Sequence, residues 1–391
     1  MAIDTRAMPG VPNLRWSSRA QSVGAIEAEL SKIWASTKLT VEGEGGEERR
    51  ISARTSVLNL VVIARRPELG EHAAAVITHL AGRHPSRTLI VSPADPDGPS
   101  WLDARIQAQC MLPRPDAAET CIELIYLTVG GEAGRHLNAI VAPLLVHDLP
   151  VTIWWPGDTP LGLPMTRDLF SIADRVVVDG SSWSGDGLNR LAKLAELVDD
   201  ERLDVVDLAL LRQSRWREAI ASAFDLPDLL PFVRSIRSVS VAYASHEGGE
   251  ANVVKPLYHV AWLASRLGFA VVKPLQPGRG GGYEGLLRTR GHDISVWLEP
   301  REAQWSAGTT LEVTIMAERR DEPLTVRVTA DGEGVVVVAQ RADDPPIERR
   351  FLAHRRTEAD LIAETIETVG MDAISRDAIA RAAELAGPLS T

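Results

Sequence analysis

The sequence predicts two regions of different class: an α/β region of three layers around a mixed, mostly parallel sheet, then an α+β region with an antiparallel sheet. Three observations predict it. From Val57 onward, short apolar runs alternate with stretches of helical period, the pattern of strands linked by crossover helices. After Pro227–Pro231 that alternation stops, and from Arg237 most strand-like runs succeed one another at short spacing. Between these, DLPVTIWWPGD at Asp148–Asp158 sets a β-forming run, Thr152–Trp155, against a Pro-Gly-Asp turn. Adjacent tryptophans on a strand point to opposite faces, so the run reads as a strand buried within an α/β layer.

Ser22–Trp34 carries Val23, Ile26, Leu30 and Ile33 on one helical face. Thr40–Arg50 is Gly/Glu-rich and reads as a polar linker. Val57–Ile63 is a near-continuous apolar strand, Glu68–Arg83 a helix with Ala73, Val76, Ile77 and Leu80 inward, and Arg87–Val91 the next strand. Together they form a βαβ unit with a right-handed crossover. Leu102–Leu112 and Thr120–Thr128 read as a hairpin, and Glu132–His147 as a helix kinked at Pro143. Val151–Trp155, Thr166–Ile172, Arg175–Val178 and Gly187–Leu197 complete a domain of Rossmann or flavodoxin-like type. In the second half Val239–Ala244, Ala270–Pro274, Gly285–Arg290, Ile294–Leu298, Thr310–Ala317, Leu324–Thr329 and Val335–Gln340 are strands. Asp331–Gly334 is a hairpin turn, and helices are expected at Leu257–Leu267, Glu358–Val369 and Arg376–Leu385. The expected domains are 1–50 (helix and linker), 51–230 (α/β) and 231–391 (α+β).

The chain has 391 residues, with 42 Lys and Arg against 53 Asp and Glu, a formal charge of −11. That balance argues against nucleic acid as the main partner, because phosphate binding needs a basic field. Only five cationic residues are lysines: Lys32, Lys38, Lys193, Lys255 and Lys273. The N-terminus has no apolar signal core, and runs such as Val335–Ala339 fall far short of a membrane span. A cytoplasmic protein is expected.

Motif searches find little chemistry. Gly280–Gly285 satisfies G-x-G-x-x-G, but the next segment, Leu286–Pro300, reads as a hairpin through Gly291-His292 instead of a phosphate-binding helix. The Gly278–Gly285 stretch is therefore expected to be a loop able to order on a partner. Gly180–Ser184 fails the G-x-S-x-G pattern at its last position, and His246–Glu250 fails H-E-x-x-H. No catalytic or metal residue is assigned, and no cofactor.

The carboxyl ends of the expected parallel strands carry Arg65-Arg66, Ser92, Gly157-Asp158 and Asp179-Gly180-Ser181-Ser182. Ligands of open α/β sheets bind beyond those ends, so this is a candidate crevice for a small anion such as a nucleotide or sugar phosphate; ordinary turn and capping chemistry is the other reading. A symmetric hairpin would place Cys110 opposite Cys121, either as two small buried hydrophobes or as a redox-labile cross-strand pair. Ten tryptophans are present; Trp154, Trp155 and Trp297 are expected in the core, and Trp16, Trp101, Trp183, Trp216 and Trp305 near element ends, as interface anchors or core edges.

Four strings in this order and spacing carry a resemblance: TSVLNLVV at Thr55–Val62, HPSRTLIV at His84–Val91, DLPVTIWWPGD at Asp148–Asp158 and RVVVDGSSW at Arg175–Trp183. Together they resemble the OpcA family, the glucose-6-phosphate dehydrogenase assembly proteins. The resemblance covers most of Ser22–Trp183 and continues more loosely to the C-terminus. It implies a non-enzymatic partner that promotes the active state of the dehydrogenase, with NADP and sugar phosphate remaining on that enzyme. It also makes His84 and Arg87 candidates for an ion pair or a subunit contact.

Overall fold

The computed structural model describes residues 13–35, 40–42, 48–50, 56–81, 83–111, 120–200, 202–246, 251–352, 356–368, 370 and 372–388. The chain divides into two compact units, Met1–Val178 with Glu358–Glu367, and Asp179–Thr357 with Thr368–Thr391. This cut lies well ahead of the break at Pro227–Pro231. The packing explains it: helix Leu188–Val198 lies against helix Ala373–Ala386, inside the second unit.

The strands of the first unit are β1 (Asn13–Ala20), β2 (Thr40–Glu42), β3 (Glu48–Arg50), β4 (Leu58–Ile63), β5 (Ser86–Pro93), β6 (Trp101–Met111), β7 (Thr120–Gly130), β8 (Val151–Trp155) and β9 (Arg175–Val178). Its sheet runs β1-β6-β7-β5-β4-β8-β9. The pairs from β7 to β9 are parallel, while β1–β6 and β6–β7 are antiparallel, so the sheet is mixed and mostly parallel. β4 and β8 are buried along their whole length, as near-continuous apolar strands require. Trp154 and Trp155 are both buried, and Trp155 meets Phe170 edge to face at 6.4 Å between ring centres.

Three expectations in this unit change. Asn13–Ala20, where no strand is expected, adds an edge to β6. Within the expected linker, Thr40–Glu42 pairs with Glu48–Arg50, with 43–47 outside the described residues. The expected helix Glu132–His147 is three short pieces, Gly131–Arg135, Leu137–Val141 and Ala142–Leu144, broken at His136 (φ −118°, ψ 53°) and ending around Pro143. The connection of the β6–β7 hairpin lies outside the described residues.

Polar groups inside this sheet serve its connections. Asn59, buried in β4, accepts from the Val146 amide at 2.8 Å and donates to the carbonyls of Val146 and Leu149 at 2.9 and 3.2 Å. Arg87 of β5 stands directly opposite Glu123 of β7; both are buried, Arg87 Nε pairs with the Glu123 carboxylate, and Nη1 donates to the Leu144 carbonyl at 2.9 Å. The returning helix Glu358–Glu367 is held at both ends. His72 meets Glu358 at 2.5 Å, His84 and Arg83 meet Glu367 at 2.9 and 2.6 Å, and Arg175 donates to the Thr365 carbonyl.

The strands of the second unit are β10 (Asp204–Asp207), β11 (Ile236–Ser245), β12 (Ala270–Pro277), β13 (Tyr283–Arg288), β14 (Asp293–Glu302), β15 (Thr310–Arg319), β16 (Glu322–Asp331), β17 (Gly334–Arg341) and β18 (Ile347–Leu352). The large sheet runs β12-β13-β14-β11-β15-β16-β17-β18. Every pair is antiparallel, as expected, except β11–β14, which is parallel. The cause is topological. Helix Val254–Leu267 carries the chain away from β11, which then holds the centre of the sheet between β14 and β15. Val239, Val241, Val296, Leu298, Val313, Ile315, Val326, Val328, Val335 and Val337 form the inner face at period two.

That period also moves Trp297. Val296 and Leu298 take the inward positions, which leaves Trp297 on the outer face and exposed, not in the core. The glycine-rich run joins β12 to β13 as a hairpin, with the Gly278 amide donating to the Gly282 carbonyl at 2.8 Å and Gly280 and Gly281 at φ 67° and 78°.

A buried ion pair is costly to halve. Glu123→Leu and Arg87→Met should each destabilise by about 3–5 kcal/mol, while the double variant should lose clearly less than their sum. Urea denaturation of the four proteins checks this.

Candidate functional site

The turn opening the second unit, Asp179-Gly180-Ser181-Ser182-Trp183, gathers the densest set of polar groups around sequence-predicted residues. Asp179 caps the short Gly180–Ser182 turn. Its Oδ1 accepts from the Ser181 amide and hydroxyl at 3.1 and 2.6 Å, and its Oδ2 from Arg212 Nη1 at 2.7 Å. Ser182 donates to the Asp179 carbonyl at 2.7 Å. Trp183 is buried, so it belongs to a core edge and is not an exposed anchor.

Behind this turn lies Asp207, buried at the end of β10. Its Oδ1 accepts from the amides of Gly180 and Ala209, both at 2.8 Å, and its Oδ2 from the Tyr258 hydroxyl at 2.6 Å. It thereby caps helix Leu208–Leu211 while also holding the turn. Gly180 is required there, because a Cβ would stand 2.5 Å from Asp207 Oδ2. Burial, and next the nearby Asp179 charge, push the Asp207 carboxyl up to about 6, against the pull of its three donors. Burial raises the Tyr258 phenol well above its ordinary range, with Asp207 adding to the effect.

Asn252 closes the arrangement. Its Nδ2 donates to the carbonyls of Gly180 and Trp183 at 2.9 and 3.1 Å, and its Oδ1 accepts from the Val254 amide at 3.0 Å, at the start of helix Val254–Leu267. A few residues beyond the turn, Asp186 accepts from the Tyr283 hydroxyl at 2.7 Å. The site is thus a set of mutually satisfied groups that locks one turn to three distant segments.

Of the sequence-predicted residues, Asp179, Ser181 and Ser182 are brought together, with Trp183 buried beside them in sequence. In the first unit Arg65, Arg66 and Asp158 are exposed beyond the carboxyl ends of β4 and β8. Arg66 precedes helix Pro67–Leu80 without capping it through its side chain. Arg87 faces Glu123 inside the sheet, while His84 pairs with Glu367. Cys110 and Cys121 are direct cross-strand partners, and their sulfurs are joined as a disulfide. Among the described residues no group of three or more His, Cys, Asp or Glu is placed to hold a metal.

Asp207, Arg212, Asn252 and Tyr258 were missed by sequence reasoning. Asp207 and Asn252 each stand just before a helix, an N-cap signal that was available. Nothing local marks Tyr258. His259, beside it, is fully buried next to Trp216 (5.4 Å between ring centres), and burial, with Arg217 adding to it, holds its imidazole down at about 3.

These two shifts act on stability with opposite sign. His259 starts from an ordinary value of 6.5. Its contribution is therefore complete above that pH and falls as pH drops towards 3, where only the unfolded chain takes the proton. Asp207 starts from 3.8. Its contribution is complete below that value and is lost as pH rises to about 6, because the folded state keeps the proton longer. His259→Leu should therefore lose the acid-side decline, and Asp207→Asn should make it steeper. Each variant should differ from the parent slope by about 1–3 kcal/mol between roughly pH 4 and 6, read from urea midpoints. For the cysteines, reductant should lower the melting temperature of the parent and leave Cys110→Ser/Cys121→Ser unchanged.

Residues 77–196 match the family model described as glucose-6-phosphate dehydrogenase subunit N-terminal domain, and residues 203–379 the one described as its C-terminal domain. The chain is 27% identical over 201 residues to a protein of Synechocystis sp. named OxPP cycle protein OpcA, covering 51% of this chain and 41% of that one. It is 27% identical over 208 residues to a protein of the same name from Nostoc punctiforme, covering 51% and 43%. The match thus spans less than half the length of these relatives. Among solved structures, the oxidoreductase yvaA of Bacillus subtilis aligns with a TM-score of 0.44 at 9% identity, covering 84% of this chain and 95% of that one, a likeness too loose to carry any inference. The two family matches take in most of the sequence, and the chain belongs to the OpcA family of glucose-6-phosphate dehydrogenase assembly proteins.

Proposed function

We propose that this chain is a non-enzymatic, cytoplasmic assembly factor and allosteric activator of glucose-6-phosphate dehydrogenase in the oxidative pentose phosphate pathway. The observation that carries the reading is the pair of family matches, both described by that dehydrogenase's name and together reaching into both units. Linkage supplies the mechanism. A partner that prefers the active oligomeric or conformational state shifts the enzyme towards it by its differential affinity, and a coupling of about 1–3 kcal/mol is a 5–150-fold shift. The hydride chemistry, with NADP and the sugar phosphate, stays on the dehydrogenase.

The local geometry supports a structural use of the polar cluster. Asp179 is engaged by Arg212 and Ser181, and Asp207 by Gly180, Ala209 and Tyr258. A nucleotide or sugar phosphate entering there would have to displace bonds on which the turn depends.

The test is a kinetic titration of the dehydrogenase from the same organism, following NADPH formation as this chain is added. A saturable rise in kcat or fall in substrate KM is expected. No change, with no co-elution on a sizing column, would overturn the reading. A thermal-shift panel of NADP, glucose 6-phosphate, 6-phosphogluconate and ATP completes it; the proposal expects no strong stabilisation of this chain alone by any of the four.

A further inference from the structure

The outer face of the large sheet is complementary to itself across its central strand. Directly paired residues of neighbouring strands share a face. On this face Ser240 of β11 is paired with Trp297 of β14 on one side and Thr314 of β15 on the other. Ser238 is paired with Ser295 and Met316 in the same way. One strand further out, Glu284 of β13 pairs with Trp297, and Arg327 of β16 with Thr314. The opposite face holds the valine core; on this one Trp297 is 39% exposed and Met316 50%, while Ser238 and Ala242 on the central strand are buried.

Reflection about β11 therefore matches large with small and acid with base. Trp297 stands at the position mirrored by Thr314, Met316 by Ser295, and Glu284 by Arg327. A two-fold axis lying along β11 in a sheet-on-sheet contact would bring each position of one copy onto the mirrored position of the other. The indole would then lie over a threonine, the thioether over a serine, and the glutamate against an arginine. The strands of the two sheets would run nearly aligned, the usual geometry of stacked sheets.

We infer that this face is the interface of a homodimer. Area agrees: the five strands that the axis maps onto one another, β13, β14, β11, β15 and β16, span a face of about 700 Å² at ordinary strand spacing and rise, close to one partner's share of a standard interface. The central positions are serines and threonines, which let two sheets approach closely while Trp297 and Met316 fill the contact. One mirrored pair is of like charge, Glu299 and Glu312, but both carry a counter-charge in their own chain. Arg301 lies 3.7 and 3.2 Å from them, and Arg327 3.6 Å from Glu312. Glu284 similarly has Lys273 at 3.5 Å. The inference is independent of the dehydrogenase reading.

Sedimentation velocity of the full chain across micromolar concentrations tests it. A dimer is expected, weakened at least tenfold by Trp297→Asp and by Met316→Glu, with the circular dichroism spectrum unchanged. A charge-swap cycle identifies the partner as a second copy. Glu284→Arg and Arg327→Glu should each weaken the dimer, and the double variant should restore it. A monomer at every concentration overturns the inference, as does a dimer indifferent to all four substitutions. Loss of dehydrogenase binding by variants of a chain that is always monomeric would assign the face to that enzyme and overturn it equally.

Discussion

The second unit depends on one buried carboxylate. Asp207 joins the Gly180 amide, the first turn of helix Leu208–Leu211 and the Tyr258 hydroxyl on helix Val254–Leu267, groups far apart in sequence. The arrangement works against burial, which favours the neutral acid; three donors favour the anion. The contest leaves the group near 6, so the charge is tolerated only because its lone pairs are used. Removing the carboxylate would strand an amide, a cap and a phenol together, each costing more than the bond it made. Asn252 repeats the device with a neutral amide, joining two carbonyls of the same turn to a helix start.

The first unit solves a similar problem with different groups. A parallel strand covered on both faces has no solvent-facing side on which to place polar residues, so any that occur must be satisfied inside. Asn59 and the Arg87–Glu123 pair do this, and each reaches the irregular segment between Leu144 and Leu149. That segment lacks a regular helix of its own, and its backbone groups take side-chain partners from the sheet instead. The polar core and the broken helix are thus two sides of one arrangement.

Much of this was legible in the sequence where periodicity was strong. Val57–Ile63, Glu68–Arg83 and the β11–β17 strands appear within a few residues of where their patterns place them. Cys110 and Cys121 stand directly opposite each other, where a symmetric hairpin would place them. Edge strands escaped: NLRWSSRA and IERRFL are polar and half-exposed, so they carry no apolar alternation to read. Trp297 breaks the expectation that a large aromatic in a strand is core, because its parity is set by Val296 and Leu298. Asp179 and Ser181 are marked by turn chemistry, whereas Tyr258 sits inside an apolar helical run, and only the tertiary fold brings it to Asp207.

Strongly shifted titratable groups occur both at reactive centres and in structural networks, and their partners distinguish the two uses. Here the strongly shifted Asp207, Tyr258 and His259 are turned inward. Asp207 is enclosed by donors that the fold needs, Tyr258 donates to it, and His259 is pressed neutral against Trp216. A reactive centre instead needs a shifted group with room for a substrate beside it. The outward-facing features are of another kind: a wide sheet face of small hydroxylated residues, with Trp297 and Met316 standing from it. Chemistry requires concavity and exposed reactive atoms, while recognition of a macromolecule requires breadth and shape. On that physical division Asp207, Tyr258 and His259 serve the fold, and the broad outer face of the large sheet suits association.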